Sequence, residues 1–354
     1  MKKLDYVLLF TSLFLLGFGI LILSGVSAVY SFQKFNITNY YLNRQLIAIV
    51  IGLIMAFFIY KIPFSFLKKI AFPLFIFSFF LIFLTIIPNI GTQIGGARRW
   101  INLGFISFQP IELLKLTFIL YLSIWLTSKK EKVLIPFLII LSFISLILYI
   151  QKDFSSCFII ISTALVIYFI TRKSFLENII VWAIIGLVFF TFLLSGFRID
   201  RFLSHQGITN DPIGIGFQSL QAKITIGSGG FWGKGIGSSS QKLYLPHSMS
   251  DSIFAIIAEE GGFFFSFLII LLFFIFFYRS IFLAKKNGNK TYQLIIIGIS
   301  TWFLTQALIH IGAMSGLIPI TGIPLPLISY GGSHIMVELM ALGLVFGILK
   351  SSKK

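Results

Sequence analysis

Ten long apolar runs dominate this sequence and limit what it can fold into. About 20 apolar residues suffice for a helix to cross a bilayer. Hydrophobic residues make up 57% of the chain and charged residues only 11%, whereas a soluble domain carries about 25% charged residues. We therefore predict an all-α polytopic membrane protein with about ten transmembrane helices, in which residues 1–354 form a single transmembrane domain. The runs cover 6–29, 44–60, 70–88, 109–127, 133–150, 154–171, 178–195, 253–278, 292–318 and 334–350.

The positions of the basic residues predict how the helices are oriented. Most of the 28 Lys and Arg residues lie in termini and short loops that face the cytoplasm if the N-terminus does, as the positive-inside rule requires. Both termini are therefore predicted to be cytoplasmic. The net charge of +17 is then mostly a topology signal, and no nucleic-acid partner is predicted. The first run lacks a small-residue cleavage site, so we predict a retained helix rather than a signal peptide.

Three segments on the predicted outer side differ from plain connectors. Residues 88–108 are rich in Gly, Arg and Asn, and residues 319–333 carry several prolines and polar turn residues. Residues 196–252 form a large extracytoplasmic loop between helices 7 and 8, far longer than the roughly 12 residues that most loops stay under. The predicted cytoplasmic connectors are short and basic. Function is therefore predicted at the outer face.

The eleven acidic residues are functional candidates wherever they fall in a span, because an ionisable group in a membrane is costly. Glu112 and Lys115 are three residues apart on one predicted helix and can pair. That spacing fits a structural ion pair as well as a site. Of Glu259 and Glu260, one is predicted to neutralise an arginine from another helix.

Asp251 stands at the N-terminal end of the predicted eighth helix. Partial desolvation at the membrane boundary can bring a carboxylate toward the working range of a general base. An aspartate in this place can also satisfy free backbone N–H groups as a helix cap. Spacing alone favours the cap, and the two roles are compatible.

Several motifs follow one another in a defined order. They are Gly96–Ile101, Gln109–Lys115, Gln151–Phe154, Gly227–Pro246, Asp251–Ala255, Glu259–Gly261, Pro319–Pro326 and Ile328–Ser333. With these motifs the sequence resembles the SEDS family (FtsW, RodA and SpoVE) from about Arg44 to the C-terminus. The segment Gln241–Pro246 slightly favours the FtsW type, and the choice between division, elongation and sporulation stays open.

The resemblance implies a peptidoglycan glycosyltransferase in the bacterial cytoplasmic (inner) membrane. Such an enzyme polymerises lipid II, an undecaprenyl-pyrophosphate-linked disaccharide peptide, into glycan strands at the outer face, for cell division or cell-shape maintenance. The implied partners are a class B penicillin-binding protein and other divisome or elongasome proteins. Asp251 occupies the position of the aspartate on which the family's activity depends. Around it, His247, Met249, Ser250 and Ser252 depart from the family pattern.

The implied reaction is an inverting displacement at the donor sugar. It needs a base for the acceptor hydroxyl, which we assign to Asp251, and cations for the departing pyrophosphate. Glycines in 227–237 are predicted to let backbone N–H groups approach phosphate oxygens, with a tight loop alone as the alternative. The predicted pyrophosphate-binding cations are Arg98, Arg99, Lys115, Lys223, Lys234 and Lys242. The predicted supporting residues are Gln109, Glu112, Asp153, Glu259, Glu260, Ser329 and Tyr330.

No resident metal site is predicted. The single cysteine, Cys157, excludes a cysteine cage and an internal disulfide, and the four histidines are scattered along the chain. A divalent cation (Mg or Mn) that bridges the pyrophosphate is left open.

Two other function classes also fit the sequence. A lipid-linked-precursor flippase or transporter would use Glu112, Asp153 and Glu259 to line a polar pathway, although transporters more often carry broken helices at mid-membrane. A non-catalytic scaffold of a cell-wall synthase is the third interpretation.

Overall fold

A computed structural model of the chain contains ten helices in its described part. That part comprises residues 5–88, 90–94, 97–102, 107–129, 133–172, 177, 179, 186 and 215–351. Eight of the helices are long and apolar enough to cross a membrane, and α5 is a shorter apolar helix. The helices are α1 (Tyr6–Phe35), α2 (Tyr40–Lys61), α3 (Phe64–Ile86), α4 (Pro110–Ser128), α5 (Leu134–Ile150), α6 (Phe154–Thr171), α7 (Ile215–Ser228), α8 (Ile253–Lys285), α9 (Lys290–Met314) and α10 (Gly332–Ser351).

The predicted helical membrane architecture is confirmed. Nine of the ten predicted spans coincide with a helix, and the predicted seventh span, 178–195, lies outside the described residues except for Ile179 and Gly186. Helix α3 begins at Phe64, directly after Pro63 and earlier than predicted. The predicted span began with the apolar run at residue 70, whereas the helix also includes the exposed Lys68 and Lys69. Helix α7 was not predicted and lies within the large loop 196–252.

Local chemistry fixes several helix starts. The Asp5 carboxylate accepts a hydrogen bond from the Leu8 N–H (3.1 Å) and caps α1. Pro110 begins α4, where its missing N–H has no helical partner to lose. Asn289 caps α9 by accepting from the Thr291 N–H at 2.9 Å. These side chains satisfy backbone donors that the first turn of a helix leaves unpaired.

A small antiparallel sheet lies between α3 and α4, an addition to the predicted all-α fold. Its strands are β1 (Gly91–Ile94), β2 (Ala97–Asn102) and β3 (Ser107–Phe108), in the order β1-β2-β3. Gly91 pairs with Ile101, and Ile101 pairs with Phe108. Backbone groups outside the helices need partners of their own, and the sheet supplies them.

Close approach of α2 and α10 forms one side of the bundle. A Cβ atom at Gly343 would lie 2.4 Å from the Ala56 carbonyl oxygen, and one at Gly52 would lie 2.8 Å from Leu339 Cδ1. Small residues at such an interface let two membrane helices pack backbone to backbone. On the other face of α2 and α3, Phe58 and Phe66 are exposed and suit contact with lipid.

Candidate functional site

Asp251 lies in a turn directly before α8. The Ser250 and Ser252 N–H groups both donate to the His247 carbonyl (3.0 and 3.1 Å), and His247 has a positive φ of 53°. Helix α8 begins at Ile253, so Ser252 occupies the capping position and Asp251 stands one residue ahead of it. The Asp251 side chain is half-buried. A hydrogen-bonded turn thus holds the carboxylate at the N-terminal end of α8.

The loop 319–333 packs against this turn. The Ser329 hydroxyl donates to the Ser250 carbonyl (2.8 Å) and accepts from the Leu325 N–H (2.7 Å). The Tyr330 N–H donates to the Met249 carbonyl at 2.9 Å. Both predicted supporting residues of this loop therefore contact the segment that carries Asp251.

Gly322 brings the same loop next to the carboxylate itself. A Cβ atom at Gly322 would lie 3.7 Å from Asp251 Oδ2. Its φ of +70° is a conformation that favours glycine. The buried His310 ring holds the adjacent residue, because its Nδ1 lies 2.6 Å from the Ile323 carbonyl oxygen. The loop backbone therefore forms one wall beside Asp251.

Gln45 of α2 anchors the loop from the other side, and sequence reasoning missed it. Its amide nitrogen donates to the Ser329 carbonyl (3.3 Å), and its amide oxygen accepts from the Gly331 N–H (3.0 Å). Gln45 is buried. A polar residue at the start of an apolar run was the available signal.

The sheet contacts the turn between α5 and α6. The Arg99 guanidinium donates to the carbonyls of Gln151 (3.1 Å) and Lys152. Asp153 caps α6 by accepting from the Ser156 N–H at 3.2 Å. Arg99 and Asp153 thus build the turn between α5 and α6.

That turn reaches the loop beside Asp251 through one further contact. The Ser155 hydroxyl donates to the Thr321 carbonyl at 3.4 Å, next to Gly322. The predicted residue Gln109 is fixed nearby, since its N–H donates to the Ser333 hydroxyl (3.0 Å), which donates to the Ser107 carbonyl. Residues from three distant motifs are therefore connected around one loop.

Glu259 is paired with a lysine of the large loop 196–252. Lys234 Nζ lies 2.7 Å from Glu259 Oε1, and the Ser240 hydroxyl donates to the same oxygen at 3.0 Å. Glu260 Oε1 accepts from the Ser239 N–H at 3.3 Å. Within the described residues the cation on Glu259 is Lys234 and not the predicted arginine. Lys234 folds back onto α8 because the chain between them contains tight glycine turns.

The glycine-rich segment inserts into a break in α8. Gly262 has φ 67° and ψ −166°, so the Glu259 and Glu260 carbonyls lose their helical partners. The Lys234 and Gly235 N–H groups donate to them instead (3.0 and 2.9 Å). These N–H groups bind the protein's own carbonyls, which supports the tight-loop alternative over a phosphate cradle at these two positions.

A buried polar cluster surrounds Lys115. Lys115 Nζ lies 2.8 Å from Glu112 Oε2, as the predicted pairing requires, and donates to Gln306 Oε1 at 2.9 Å. The Gln306 amide also donates to Glu338 Oε1 (3.2 Å), and Glu338 Oε2 accepts from the Leu327 N–H (2.8 Å). Lys115 is only 2% exposed, so it acts through this cluster rather than on a ligand at the surface. Sequence reasoning missed Gln306.

The other three predicted cations lie nearer the surface. Lys242 donates to the Gly237 carbonyl at 3.0 Å, and Lys223 on α7 is exposed beside Gly316. Arg98 is half-buried in β2. Within the described residues, no three His, Cys, Asp or Glu side chains come together as a metal site would require.

Comparisons with known proteins agree with this architecture. The family model of the FtsW, RodA and SpoVE cell cycle proteins matches residues 6–354. Stage V sporulation protein E of Bacillus subtilis (strain 168) is 34% identical, over 99% of this chain and 98% of that protein. A probable peptidoglycan glycosyltransferase FtsW of Coxiella burnetii is 33% identical, over 97% of this chain and 95% of that protein.

Solved structures share the fold along the whole chain. A chain of a peptidoglycan synthase complex that coordinates polymerization and crosslinking superimposes with a TM-score of 0.82 at 25% identity, and covers 100% of both chains. The rod shape determining protein RodA of Thermus thermophilus gives a TM-score of 0.74 at 24% identity, over 99% of this chain and 98% of that chain. This chain is a multi-pass protein of the bacterial cytoplasmic membrane and belongs to the FtsW/RodA/SpoVE (SEDS) family.

Proposed function

We propose that this protein is a peptidoglycan glycosyltransferase that polymerises lipid II at the outer face of the membrane, with Asp251 as general base. The observation that carries the proposal is a half-buried carboxylate at the mouth of α8, framed by the loop 319–333. The relatives named as glycosyltransferases and the fold shared with a peptidoglycan synthase complex support the same activity.

The reaction places one demand on Asp251. Its carboxylate accepts the proton of the acceptor 4-hydroxyl as that oxygen attacks C1 of the donor sugar. The C1–oxygen bond to the pyrophosphate breaks as the new glycosidic bond forms, and the polyprenyl pyrophosphate leaves. One displacement converts the α-linked donor into a β-linked product. Because the Asp251 turn is bonded to the loop 319–333, the base is held in place before substrate arrives, which lowers the entropic cost of the reaction.

Cations near the surface suit the departing pyrophosphate. We assign that role to Arg98, Lys223 and Lys242, because in the described part of the chain no salt bridge joins them to a carboxylate. Arg99, Lys115 and Lys234 instead hold the surrounding structure through the contacts above.

A partner penicillin-binding protein fits this assignment. The similar solved chain belongs to a complex that coordinates polymerization with crosslinking. We extend that pairing to this protein, with a class B penicillin-binding protein as the partner.

The described contacts do not favour the transporter interpretation. Glu112 pairs with Lys115, Asp153 caps α6, and Glu259 pairs with Lys234. Each of the three acids that would line a polar pathway is therefore engaged in its own local network.

Polymerisation of lipid II by the purified protein with its co-purifying penicillin-binding protein tests the proposal. We expect Asp251→Asn to lower the initial rate of glycan formation at least about 100-fold, as the loss of a general base does. Asp5→Asn is a matched control, because Asp5 lies at the opposite end of the bundle beside Arg279. Equal polymerisation by Asp251→Asn would refute the site, and no polymer from the wild-type complex would favour a scaffold.

A further inference from the structure

Two consecutive hydrogen bonds link α7 to the turn that carries Asp251. The Gln218 amide of α7 donates to the Ser252 hydroxyl at 2.9 Å, and that hydroxyl donates to the Pro246 carbonyl at 2.8 Å. The first bond joins residues 34 positions apart along the chain. Because Asp251 directly precedes Ser252, the two bonds close the turn at the residue next to the carboxylate.

The Gln218 amide sets the direction of both hydrogen bonds. A serine hydroxyl has one proton to donate and lone pairs with which to accept. Since the amide Nε2 only donates, the Ser252 oxygen accepts from it and keeps its own proton for the Pro246 carbonyl. Ser252 occupies the capping position of α8, yet its hydroxyl does not cap that helix. Gln218 therefore orients the Ser252 hydroxyl into the turn.

Burial makes this contact difficult to replace. Gln218 is only 9% exposed, and Ser252 is fully buried. A buried polar group that loses its partner pays the cost of its lost hydration. An apolar side chain of similar length at position 218 would leave the Ser252 hydroxyl without its donor and would also keep water out.

Helix α7 is anchored at other points as well. The Ser228 hydroxyl, at the C-terminal end of α7, donates to Glu259 Oε1 at 3.3 Å. In the middle of the helix, Lys223 lies against Gly316, where a Cβ atom would be 2.1 Å from Lys223 Cε. The helix is therefore a fixed support to which Gln218 attaches the Asp251 turn.

We propose that Gln218 is a positioning residue for Asp251. It acts through Ser252 and holds the turn from the side of α7, in addition to the bond from the loop 319–333 described above. Lys223, which we assigned to the departing pyrophosphate, lies on the same helix. One helix thus sets the separation between the base and a cation for the leaving group, and correct placement of reacting groups lowers the barrier. The inference rests on the proposed function, since it needs Asp251 to be the base.

Steady-state polymerisation of lipid II by the full-length protein with its co-purifying penicillin-binding protein tests this role. Gln218→Met removes the donor and keeps a side chain of similar length. We expect kcat to fall roughly tenfold while KM stays within about twofold, because a shift of about 1 Å at a reacting group can cost about 100-fold in rate. Ser252→Ala removes both hydrogen bonds and is expected to reproduce the effect.

Thr225→Val is the matched control on the same helix. Thr225 is fully buried, and its hydroxyl donates within α7 to the Gln221 carbonyl at 2.6 Å. The variant removes a buried side-chain hydrogen bond from α7 without touching the Asp251 turn. Its kcat should therefore match that of wild type.

Two further readouts separate positioning from a general loss of structure. In an Asp251→Asn background, Gln218→Met should lower the residual rate by less than about twofold, since the effects of residues that act as a unit are not additive. Hydrogen exchange followed by mass spectrometry should be faster across residues 246–252 in Gln218→Met. The Ser250 and Ser252 N–H groups are both bonded inside that turn, and loosening it exposes them to exchange.

Several results would overturn the positioning role. They are a wild-type kcat in Gln218→Met, an equal fall of kcat in Thr225→Val, unchanged exchange across residues 246–252, and a fall in the Asp251→Asn background as large as in wild type. Each of these results leaves the proposed enzyme intact. Absence of polymer from the wild-type complex, or full activity of Asp251→Asn, would instead remove the proposed function and this inference with it.

Discussion

Ser329 illustrates how one buried residue positions the carboxylate without taking part in the chemistry. Its hydroxyl joins the Leu325 N–H to the Ser250 carbonyl, and its own carbonyl accepts from Gln45. The side chain is fully buried, so water cannot replace these bonds. The residue before Asp251 is therefore fixed to the loop 319–333 by a single hydroxyl.

Ser329→Ala is expected to leave a buried N–H without its partner and to lower the free energy of unfolding by about 1–3 kcal/mol. Because the Asp251 turn then moves against its loop, kcat should fall more than KM rises. Thermal unfolding and steady-state polymerisation measure the two effects. Ser315→Ala serves as the control, since Ser315 is exposed at the end of α9 and bonds only locally to Gly312. Equal effects of the two variants would contradict a positioning role for Ser329.

Sequence reasoning identified side chains that follow recognisable motifs but missed their partners. Asp251, Ser329 and Tyr330 lie in motifs and were predicted. Gln45 and Gln306 were not, because their partners lie 286 and 191 residues away along the chain. A polar residue in an apolar run indicates that it needs a partner, but the sequence does not say which one.

At the scale of elements, the break in α8 and the glycine loop depend on each other. A helix interrupted at Gly262 leaves carbonyls unpaired, and the loop donates two N–H groups to them while the Gly230 and Phe231 carbonyls accept from Phe263 and Phe264. The sequence predicted the apolar helix and the glycine-rich segment separately. Their combination required the fold, because periodicity carries no information on which loop returns to which helix.

Gly229→Ala tests this interlocking. A Cβ atom at Gly229 would lie 2.0 Å from the Ala258 carbonyl oxygen, whereas one at Gly227 would meet nothing within 4 Å. We expect Gly229→Ala to destabilise the protein by roughly 1–3 kcal/mol, the usual cost of forcing atoms into a packed site. Gly227→Ala should stay within about 0.5 kcal/mol of wild type. Thermal unfolding in detergent compares them, and equal melting temperatures would contradict the observed approach of loop and helix.

The start of α1 is tied to the end of α8 by an ion pair. Arg279 donates two hydrogen bonds to Asp5 Oδ2, at 3.1 and 2.7 Å. Burial raises the pKa of the Asp5 carboxyl, but the hydrogen bond and charge of Arg279, together with the Leu8 N–H, outweigh it and hold that pKa below its ordinary value.

A lowered pKa in the folded state fixes the sign of the pH effect. Asp5 contributes stability above its unfolded pKa and loses that contribution as the pH falls through the folded value. The contribution should be about 1 kcal/mol or less, since the pair is partly exposed. Melting temperatures of wild type and Asp5→Asn should therefore differ at pH 7 and converge as the pH falls through the lowered pKa of the folded Asp5 carboxyl. A difference that persists unchanged at acid pH would mean that the ion pair is not its source.

At the scale of the whole molecule, the long-range contacts show which loops and helix termini lie together at each end of the helix bundle. Tyr30 donates to the Lys242 carbonyl, and Gln151 donates to Thr85, so these loops share the end that carries Asp251. The Asp5–Arg279 pair lies at the other end, where α2 ends at Lys61 and Lys350 lies in the last turn of α10. The structure therefore groups the loops as the predicted topology requires, and the direction of the bundle across the membrane rests on the positive-inside rule.

Cysteine labelling from outside the cell tests that direction. The native Cys157 is only 2% exposed, so the wild-type chain should resist a membrane-impermeant maleimide. Trp232, at 78% exposure, lies in the predicted outer loop, so Trp232→Cys should be labelled in intact spheroplasts. Lys61→Cys should be labelled only after the membrane is permeabilised, because Lys61 lies at the opposite end. The reverse pattern would place Asp251 on the cytoplasmic side, where no glycan strand is assembled, and would exclude it as the base for that reaction.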